Sequence, residues 1–465
     1  MRVLLVDPHY VGQQNRTLQE VSGVLPSLGL LSVAAVLRRD GHEVKILDCQ
    51  FHDLDGALGE IRHSAADLVA MGTTSTWIRK AHLLACEAKR SGAIVVLGGP
   101  EATVNPKECL STGDVDLVTD GESEDTMREL CQAIEAGRDW SGVSGIQYLR
   151  EGALHHTGQR AVLPDLDSLP MHAWDLLPVN RYFVGSVTRT CKESIGLVTS
   201  RGCPWKCSFC SQTVFGHRLR TRSPRLIIEE MRHLHDKYGK RDFALMDDVF
   251  TVPRKKVEEF CSLLIKEGMD VKWCCATRAD LLDRPLLTLM KASGCYEISF
   301  GVESGSQEML DHLKKQLPLS TVWRASRLMR EVGLRSKAYF MIGLPGETPE
   351  QVRQTLRLAE TLPLDFPLII FYNPVRGTGS YEEAMTRGKV LGNEGSDSLG
   401  RLRILNYVPD SLDETFLLQM YRRAYRRIYW HPKRVLRYFL RYTHSFDDLR
   451  KGFSSARQIL QLQAQ

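Results

Sequence analysis

Three cysteines stand close together in the stretch Thr199 to Gln212, TSRGCPWKCSFCSQ. Cys203, Cys207 and Cys210 have C-x3-C-x2-C spacing, and the next cysteine in the chain is Cys261. Three thiolates spaced this way can hold three irons of a four-iron, four-sulfur cube and leave the fourth iron open to a substrate or cofactor. Two other readings stand beside that one: a zinc site, and three buried structural thiols. Zinc usually takes four ligands from paired C-x2-C elements, and this chain offers no second pair. The cluster is therefore favoured over both.

With the aromatic Phe209 just before the last cysteine, the loop resembles the signature of the radical S-adenosylmethionine (SAM) superfamily. The resemblance implies that SAM chelates the open iron through its amino and carboxylate groups. It also implies that an electron from the [4Fe-4S] cluster cleaves SAM to a 5′-deoxyadenosyl radical. An electron donor such as flavodoxin or ferredoxin and a small-molecule substrate follow as expected partners.

A chain of 465 residues is too long for one ordinary core, and two to four domains are expected. Hydrophobic content of 43% and charged content of 25% are those of a soluble globular protein. The net charge of +5 is small for this length and gives no reason to expect nucleic acid as a partner. The sequence shows neither a secretory leader nor an apolar run of membrane-spanning length, so no integral membrane segment is expected. With twelve cysteines scattered along it, the chain reads as a protein of the reducing cytoplasm. Cys86, Cys131 and Cys261 fall in helix-like patterns and are read as small buried hydrophobes. The sequence does not indicate an oligomeric state.

The elements that carry the chemistry alternate strand and helix. Arg2 to Val6 is a short apolar strand, Leu28 to Arg39 a helix, and His42 to Leu47 a strand. Leu68 to Met71, Ile94 to Leu97 and Leu117 to Val118 are further strands, with a helix over Ile78 to Arg90. This order predicts an α/β fold with a doubly wound parallel sheet, in which ligands bind at the carboxyl ends of the strands. Asp7 to Gly12, Gly72 to Ser75 and Gly98 to Glu101 collect there, and glycine lets backbone approach a bulky ligand closely. Together with Leu25 to Leu30 ahead of the first helix, these segments resemble the cobalamin (B12)-binding domain that precedes the radical SAM domain in one large subfamily. The resemblance covers residues 1–140 and implies cobalamin contacts at Thr73, Ser75, Gly98 and Gly99. Asp7, His9 and Gly12 also satisfy the D-x-H-x-x-G pattern by which corrinoid methyltransferases supply an axial histidine to cobalt. The long loop after Gly12 departs from that pattern, so His9 is not taken as a cobalt ligand.

Residues 141–190 read as a linker with a few small strands, and Trp174 in PMHAWDLLP as a packing anchor between domains. From Ser194 the alternation restarts and runs through six β/α units. Over 191–385 this resembles the partial (β/α)6 barrel of radical SAM enzymes. Its strand ends carry Asp247 and Asp248, Arg278, Glu303 with Ser304 in GVESGS, and Gly343 and Gly346 in GLPGET. The resemblance implies that Asp247 and Asp248 grip the SAM ammonium, that Arg278 pairs with its carboxylate, that Glu303 and Ser304 meet the ribose, and that the GLPGET backbone meets adenine. Taken singly, each of these residues could be a loop end or a helix cap. Beyond Gly377 the pattern is irregular through Gly400. Residues 386–465 read as a helical C-terminal region, with Arg-rich helices over Phe416 to Tyr442 on either side of Pro432, whose basic face is read as solvated.

The resemblance implies a cobalamin-dependent radical SAM methylase acting on an unactivated carbon of a small metabolite or natural product. One alternative keeps the radical without methyl transfer: dehydration or deoxygenation of an aminosugar in aminoglycoside biosynthesis, or anaerobic ring cyclisation. A distant third is a corrinoid- or cluster-binding sensor. Acid or base residues and the substrate are not identified by the sequence.

Overall fold

The computed structural model describes residues 1–9, 23–185, 189–391 and 405–429. Its first sheet grows from the apolar run RVLLV. In β1 (Arg2–Asp7) every residue but the first is buried, as expected of a parallel strand covered on both faces. A two-residue strand, β2 (Gly23–Val24), precedes helix α1 (Leu28–Arg39). β3 (Glu43–Asp48) and β4 (Leu68–Gly72) flank β1, and β5 (Ile94–Gly98) and β6 (Leu117–Thr119) follow, all parallel. Between β3 and β4 lies α2 (Leu54–His63), which the sequence reading leaves unassigned; the Asp53 carboxylate caps it by accepting the Gly56 amide at 2.8 Å.

Two apolar layers make the sheet doubly wound. Ala57 and Ile61 of α2, with Ala81, Leu84 and Ala85 of α3 (Ile78–Arg90), pack on Leu4, Val6 and Leu47. Short helices α4 (Pro100–Val104) and α5 (Pro106–Leu110) complete that side. On the opposite face Val33, Ala34 and Leu37 of α1 meet Met127 and Leu130 of α6 (Glu124–Glu135) over Val3 and Leu5.

The sheet is larger than the sequence indicates. β7 (Ile146–Arg150) and β8 (Ala153–His156), read from sequence as part of the linker, form an antiparallel hairpin hydrogen-bonded to β6. The strand order is β3-β1-β4-β5-β6-β7-β8. Downstream, Trp174 is 1% exposed, and its indole N–H donates to the Glu230 carboxylate at 2.7 Å while the neighbouring Ala173 amide donates to the Leu31 carbonyl. Trp174 is thus a packing anchor between the two halves, as its sequence context implies. β9 (Phe183–Val184) closes back on β2.

The second sheet starts with β10 (Ser194–Leu197), followed by the short antiparallel pair β11 (Ser200–Arg201) and β12 (Arg220–Thr221). Helix α7 (Pro224–Tyr238) leads to β13 (Asp242–Leu245), α8 (Arg254–Glu267) to β14 (Lys272–Thr277), and α9 (Arg284–Ala292) to β15 (Cys295–Glu303). After α10 (Gln307–His312) and α11 (Leu319–Val332) comes β16 (Arg335–Ile342); α12 (Pro349–Thr361) then leads to β17 (Phe366–Phe371). The six long strands β10-β13-β14-β15-β16-β17 are parallel and in chain order, and the two edges do not pair, so the barrel is open. Its outer wall is apolar: Phe250, Phe260 and Trp273 meet edge to face, with ring centroids 5.4 to 5.6 Å apart.

Past Gly377 the chain is more regular than its sequence suggests. α13 (Tyr381–Thr386) is followed by β18 (Gly388–Val390), which pairs with β19 (Tyr407–Pro409). α14 (Glu414–Tyr429) buries Leu417, Ala424, Tyr425 and Ile428, and stacks Tyr421 on Phe371 of the last strand. Its Arg422, Arg423, Arg426 and Arg427 fall on the exposed side. The expected helix beyond Pro432, with Arg434, Arg437 and Arg441, lies outside the described residues. Among the described residues no helix is long and apolar enough to cross a membrane.

Candidate active site

The cysteine loop hangs between β11 and β12, and its backbone bonds define its path. The Cys203 amide donates to the Gly216 carbonyl, the Cys210 amide to the Cys207 carbonyl, and the Ser208 amide to the Leu313 carbonyl at 2.9 Å. Gly202, at φ +85°, permits this: a Cβ there would lie 2.5 Å from the Arg218 carbonyl oxygen. All three thiols are free and none is fully buried, so all can be reached. Among the described residues no three His, Cys, Asp or Glu side chains converge on single-ion geometry. Burial pushes the Cys207 thiol up, while the Lys315 and Arg278 charges pull it down. The Gln212 amide N–H lies 3.3 Å from Cys210 Sγ. These residues fit an anionic cluster.

The strand-end residues divide into two kinds. Asp247 is 4% exposed and saturated: its carboxylate accepts the Thr199 amide at 2.7 Å, the Ser200 amide at 3.0 Å and the Thr199 hydroxyl. It braces the backbone just ahead of the cysteines, a different role from the SAM contact that the resemblance implies. Asp248, the next residue, is exposed and has no hydrogen-bond partner among the described residues; the partial desolvation of its place at the cavity wall pushes its carboxyl up. An unpaired carboxylate at a cavity wall is available to a cation.

Arg278, which the resemblance pairs with the SAM carboxylate, is also engaged within the protein. Its guanidinium donates to both oxygens of Asp280 at 3.0 Å and to the carbonyls of Lys315 and Gln316 at 3.0 Å. Ser304 is buried against Thr355 and the Ser306 amide, with no face toward a ribose. Glu303 pairs with Lys315, which the sequence reading missed: Nζ to Oε1 is 2.9 Å, and the ammonium lies 5.7 Å from the Phe209 ring centroid. The signal available in sequence was only a second lysine in a KK pair. Phe209 itself packs beside Met309, Leu313 and Tyr372. Gly343 and Gly346 take φ +81° and +71°; the Glu347 carboxylate accepts the amides of Gly343 and Leu344, and the Leu344 carbonyl accepts the Glu347 amide.

The carboxyl end of the first sheet and the ends of β13 and β17 share one cavity of about 690 Å³ with the tail of the cysteine loop, while Cys203, Cys207, Cys210, Arg278, Glu303 and Gly343 are not among the residues that line it. From the first sheet come Thr73, Ser75, Gly98 and Gly99; from the second come Ser211 to Phe215, Asp248 and Asn373. Its size is that of a ligand site. Gly98 and Gly99 are required by packing as well as by any ligand, since a Cβ at Gly98 would lie 2.7 Å from the Thr119 hydroxyl and one at Gly99 2.9 Å from the Thr73 carbonyl. Asn373 has both side-chain amide atoms without a partner among the described residues.

His9 also lines the cavity. Its Nδ1 is 2.7 Å from Asp7 Oδ1, and its ring centroid is 5.0 Å from that of Trp77. Burial lowers its pKa, but the Asp7 hydrogen bond and charge outweigh this and leave it raised. Asp7 is in register with Asp48 on β3, whose carboxyl is pushed up to about 6 by burial and the Asp7 charge, against the hydrogen bond it accepts from Tyr182. Gly12 of the D-x-H-x-x-G pattern lies outside the described residues.

Comparison with known proteins fits this geometry. Residues 197–359 match the family model "Radical SAM superfamily" and residues 17–131 match "B12 binding domain". The chain is 32% identical over 402 residues to an uncharacterized methyltransferase, PH0819, of Pyrococcus horikoshii, covering 84% of each chain. It is 28% identical to the anaerobic magnesium-protoporphyrin IX monomethyl ester cyclase of Rubrivivax gelatinosus, over 97% of this chain and 81% of the cyclase. In fold it resembles the radical S-adenosylmethionine methyltransferase TsrM of Kitasatospora setae, solved with cobalamin and a [4Fe-4S] cluster bound. That match has TM-score 0.73 at 18% identity and covers 90% of each chain.

Proposed function

The chain belongs to the radical SAM superfamily and carries a B12-binding domain ahead of its barrel; on that premise we propose that it is a cobalamin-dependent methylase of an unactivated carbon in a small molecule. The observation that carries the proposal is the cavity shared by the strand ends of the B12-binding unit and, from the barrel, the tail of the cysteine loop, Asp248 and Asn373. When bound, the cluster with SAM supplies a reducing electron and a carbon radical, and cobalamin supplies a methyl carrier. Methyl transfer to carbon needs the methyl carrier and the radical source to reach one substrate, and residues of both domains line this cavity.

In this reading Cys203, Cys207 and Cys210 hold the cluster. Asp248 receives the SAM ammonium, the Glu303 carboxylate with its Lys315 partner faces the ribose, and the Gly343 to Gly346 carbonyls face adenine. Thr73, Ser75, Gly98 and Gly99 give corrin and nucleotide tail a close backbone wall. The unpaired Asn373 amide is a group that a polar ligand edge would satisfy. An electron donor of the flavodoxin or ferredoxin type and a cytoplasmic setting go with this chemistry. The likeness to the cyclase over nearly the whole chain favours ring cyclisation as the second reading.

Anaerobically reconstituted protein, loaded with cobalamin, reduced with a low-potential chemical reductant and given SAM labelled on its methyl group, separates the two. Label in the cobalamin fraction with S-adenosylhomocysteine as coproduct is the expected result. SAM consumed only to 5′-deoxyadenosine and methionine, with cobalamin unlabelled, would overturn methylation in favour of cyclisation or dehydration.

A further inference from the structure

One carboxylate holds both stems of the cysteine loop. Glu122 sits in the turn between β6 and α6 of the B12-binding unit, next to Gly121 at φ +74°. Its Oε1 accepts Arg201 Nη1 at 3.0 Å and its Oε2 accepts Arg220 Nη1 at 2.6 Å. Arg201 and Arg220 face each other across the β11–β12 pair, and the loop with all three cysteines runs between them. A second carboxylate, Glu124, takes the other nitrogen of Arg201 and the Ser32 hydroxyl. Arg220 also donates to the carbonyls of Leu163 and Phe215. None of the four charged side chains is more than 8% exposed.

Two arginines and two glutamates cancel in charge, so the cluster can persist away from water. Buried ion networks of this kind contribute little net stability compared with apolar packing, and their best-attested use is to fix one arrangement over its neighbours. Here the arrangement joins parts of the chain 79 and 98 residues apart. Glu122, Glu124 and Arg201 line the cavity, so the clamp lies between the turn that faces the B12 site and the loop that faces SAM.

We propose that Glu122 is a positioning residue that sets the cysteine loop at a fixed distance and orientation to the B12-binding site by clamping Arg201 and Arg220 together. The proposal rests on the cobalamin-dependent reading above. Each carboxylate oxygen takes one arginine, so losing either arginine removes one of the two ties between Glu122 and the stems of the loop.

The test uses the full chain, reconstituted with iron and sulfide and loaded with cob(II)alamin, as wild type, Glu122→Gln and Arg220→Gln. Hydrogen exchange is followed across residues 202–219, and the spin relaxation of Co(II) is compared with the cluster oxidised and then reduced. Both variants should exchange at least about tenfold faster in that loop while the amides of α8 and α11 stay at wild-type rates. The enhancement of Co(II) relaxation by the reduced cluster should fall at unchanged iron content. A general loss of stability would instead speed exchange everywhere. Wild-type loop exchange and wild-type relaxation enhancement in both variants would overturn the proposal. If Glu122→Gln does not fold, Arg220→Gln decides, because Arg201 keeps Glu124. If the wild type binds no cobalamin, the functional reading fails, while loop exchange still decides whether the clamp exists.

Discussion

The Arg278 guanidinium lies 4.5 Å from the centroid of the Trp205 ring, in the middle of the cysteine loop. It also pairs with Asp280 and holds the turn at Lys315 and Gln316, where Lys314 and Gln316 have positive φ. Arg278 therefore joins the cluster loop to the segment that carries Lys315.

We expect Arg278→Gln to cost about 2 to 3 kcal/mol of stability, the scale of losing buried hydrogen bonds from a charged group. Iron should leave the reconstituted variant faster, with SAM affinity altered less. Chemical denaturation and timed iron release to a chelator check this. Unchanged iron release with a large loss of SAM affinity would return Arg278 to the role of carboxylate clamp.

Asp247 and Asp248 should separate cleanly. Asp247→Asn replaces a charged acceptor of two buried amides and should lower stability by roughly 1 to 3 kcal/mol. Asp248→Asn breaks no hydrogen bond among the described residues and should leave the unfolding midpoint near wild type while weakening SAM binding. Thermal melts and SAM titration of both variants distinguish the two.

Ala in place of Cys203, Cys207 or Cys210 should abolish SAM cleavage with the circular dichroism spectrum unchanged. The three thiols sit in a loop and none is core. Turnover in a variant without cluster iron would refute the radical assignment.

His9→Ala should change cobalamin affinity by less than about 1 kcal/mol, a few-fold in dissociation constant. The expected Co(II) electron paramagnetic resonance spectrum of the wild type has no nitrogen splitting from the protein. Splitting that disappears in His9→Ala would instead assign His9 as the cobalt ligand, held by its Asp7 hydrogen bond.

Glu347 makes stability depend on pH. Burial pushes its carboxyl from the ordinary 4.5 up to about 8, against the hydrogen bonds from Leu344 and Gly343. Because the folded value is the higher one, this contribution is fully present below about pH 4.5 and is lost as pH rises through about 8. Glu347→Gln keeps an oxygen for both amides and cannot ionise. Unfolding free energies measured across that window should fall for wild type, on the order of a few kcal/mol, and fall less for the variant.

Sequence alone determined whatever depends on near neighbours in the chain. The apolar run at Arg2, the 3.6-residue spacing of Leu28–Arg39 and the cysteine triad each express a local geometry, so the strands, helices and cluster loop could be read directly. Tertiary structure alone decided which polar side chains face the cavity. Asp247 and Asp248 are adjacent and chemically identical, yet successive side chains leave a strand end in opposite directions, and one meets the Thr199 and Ser200 amides while the other meets open space. The hairpin at Ile146–His156 carries the composition of a linker, and it became sheet because β6 offered an unpaired edge. Glu122 reads as one acid among 56; its two arginine partners were set by how one domain packs on the other, a choice with no periodic trace in the chain.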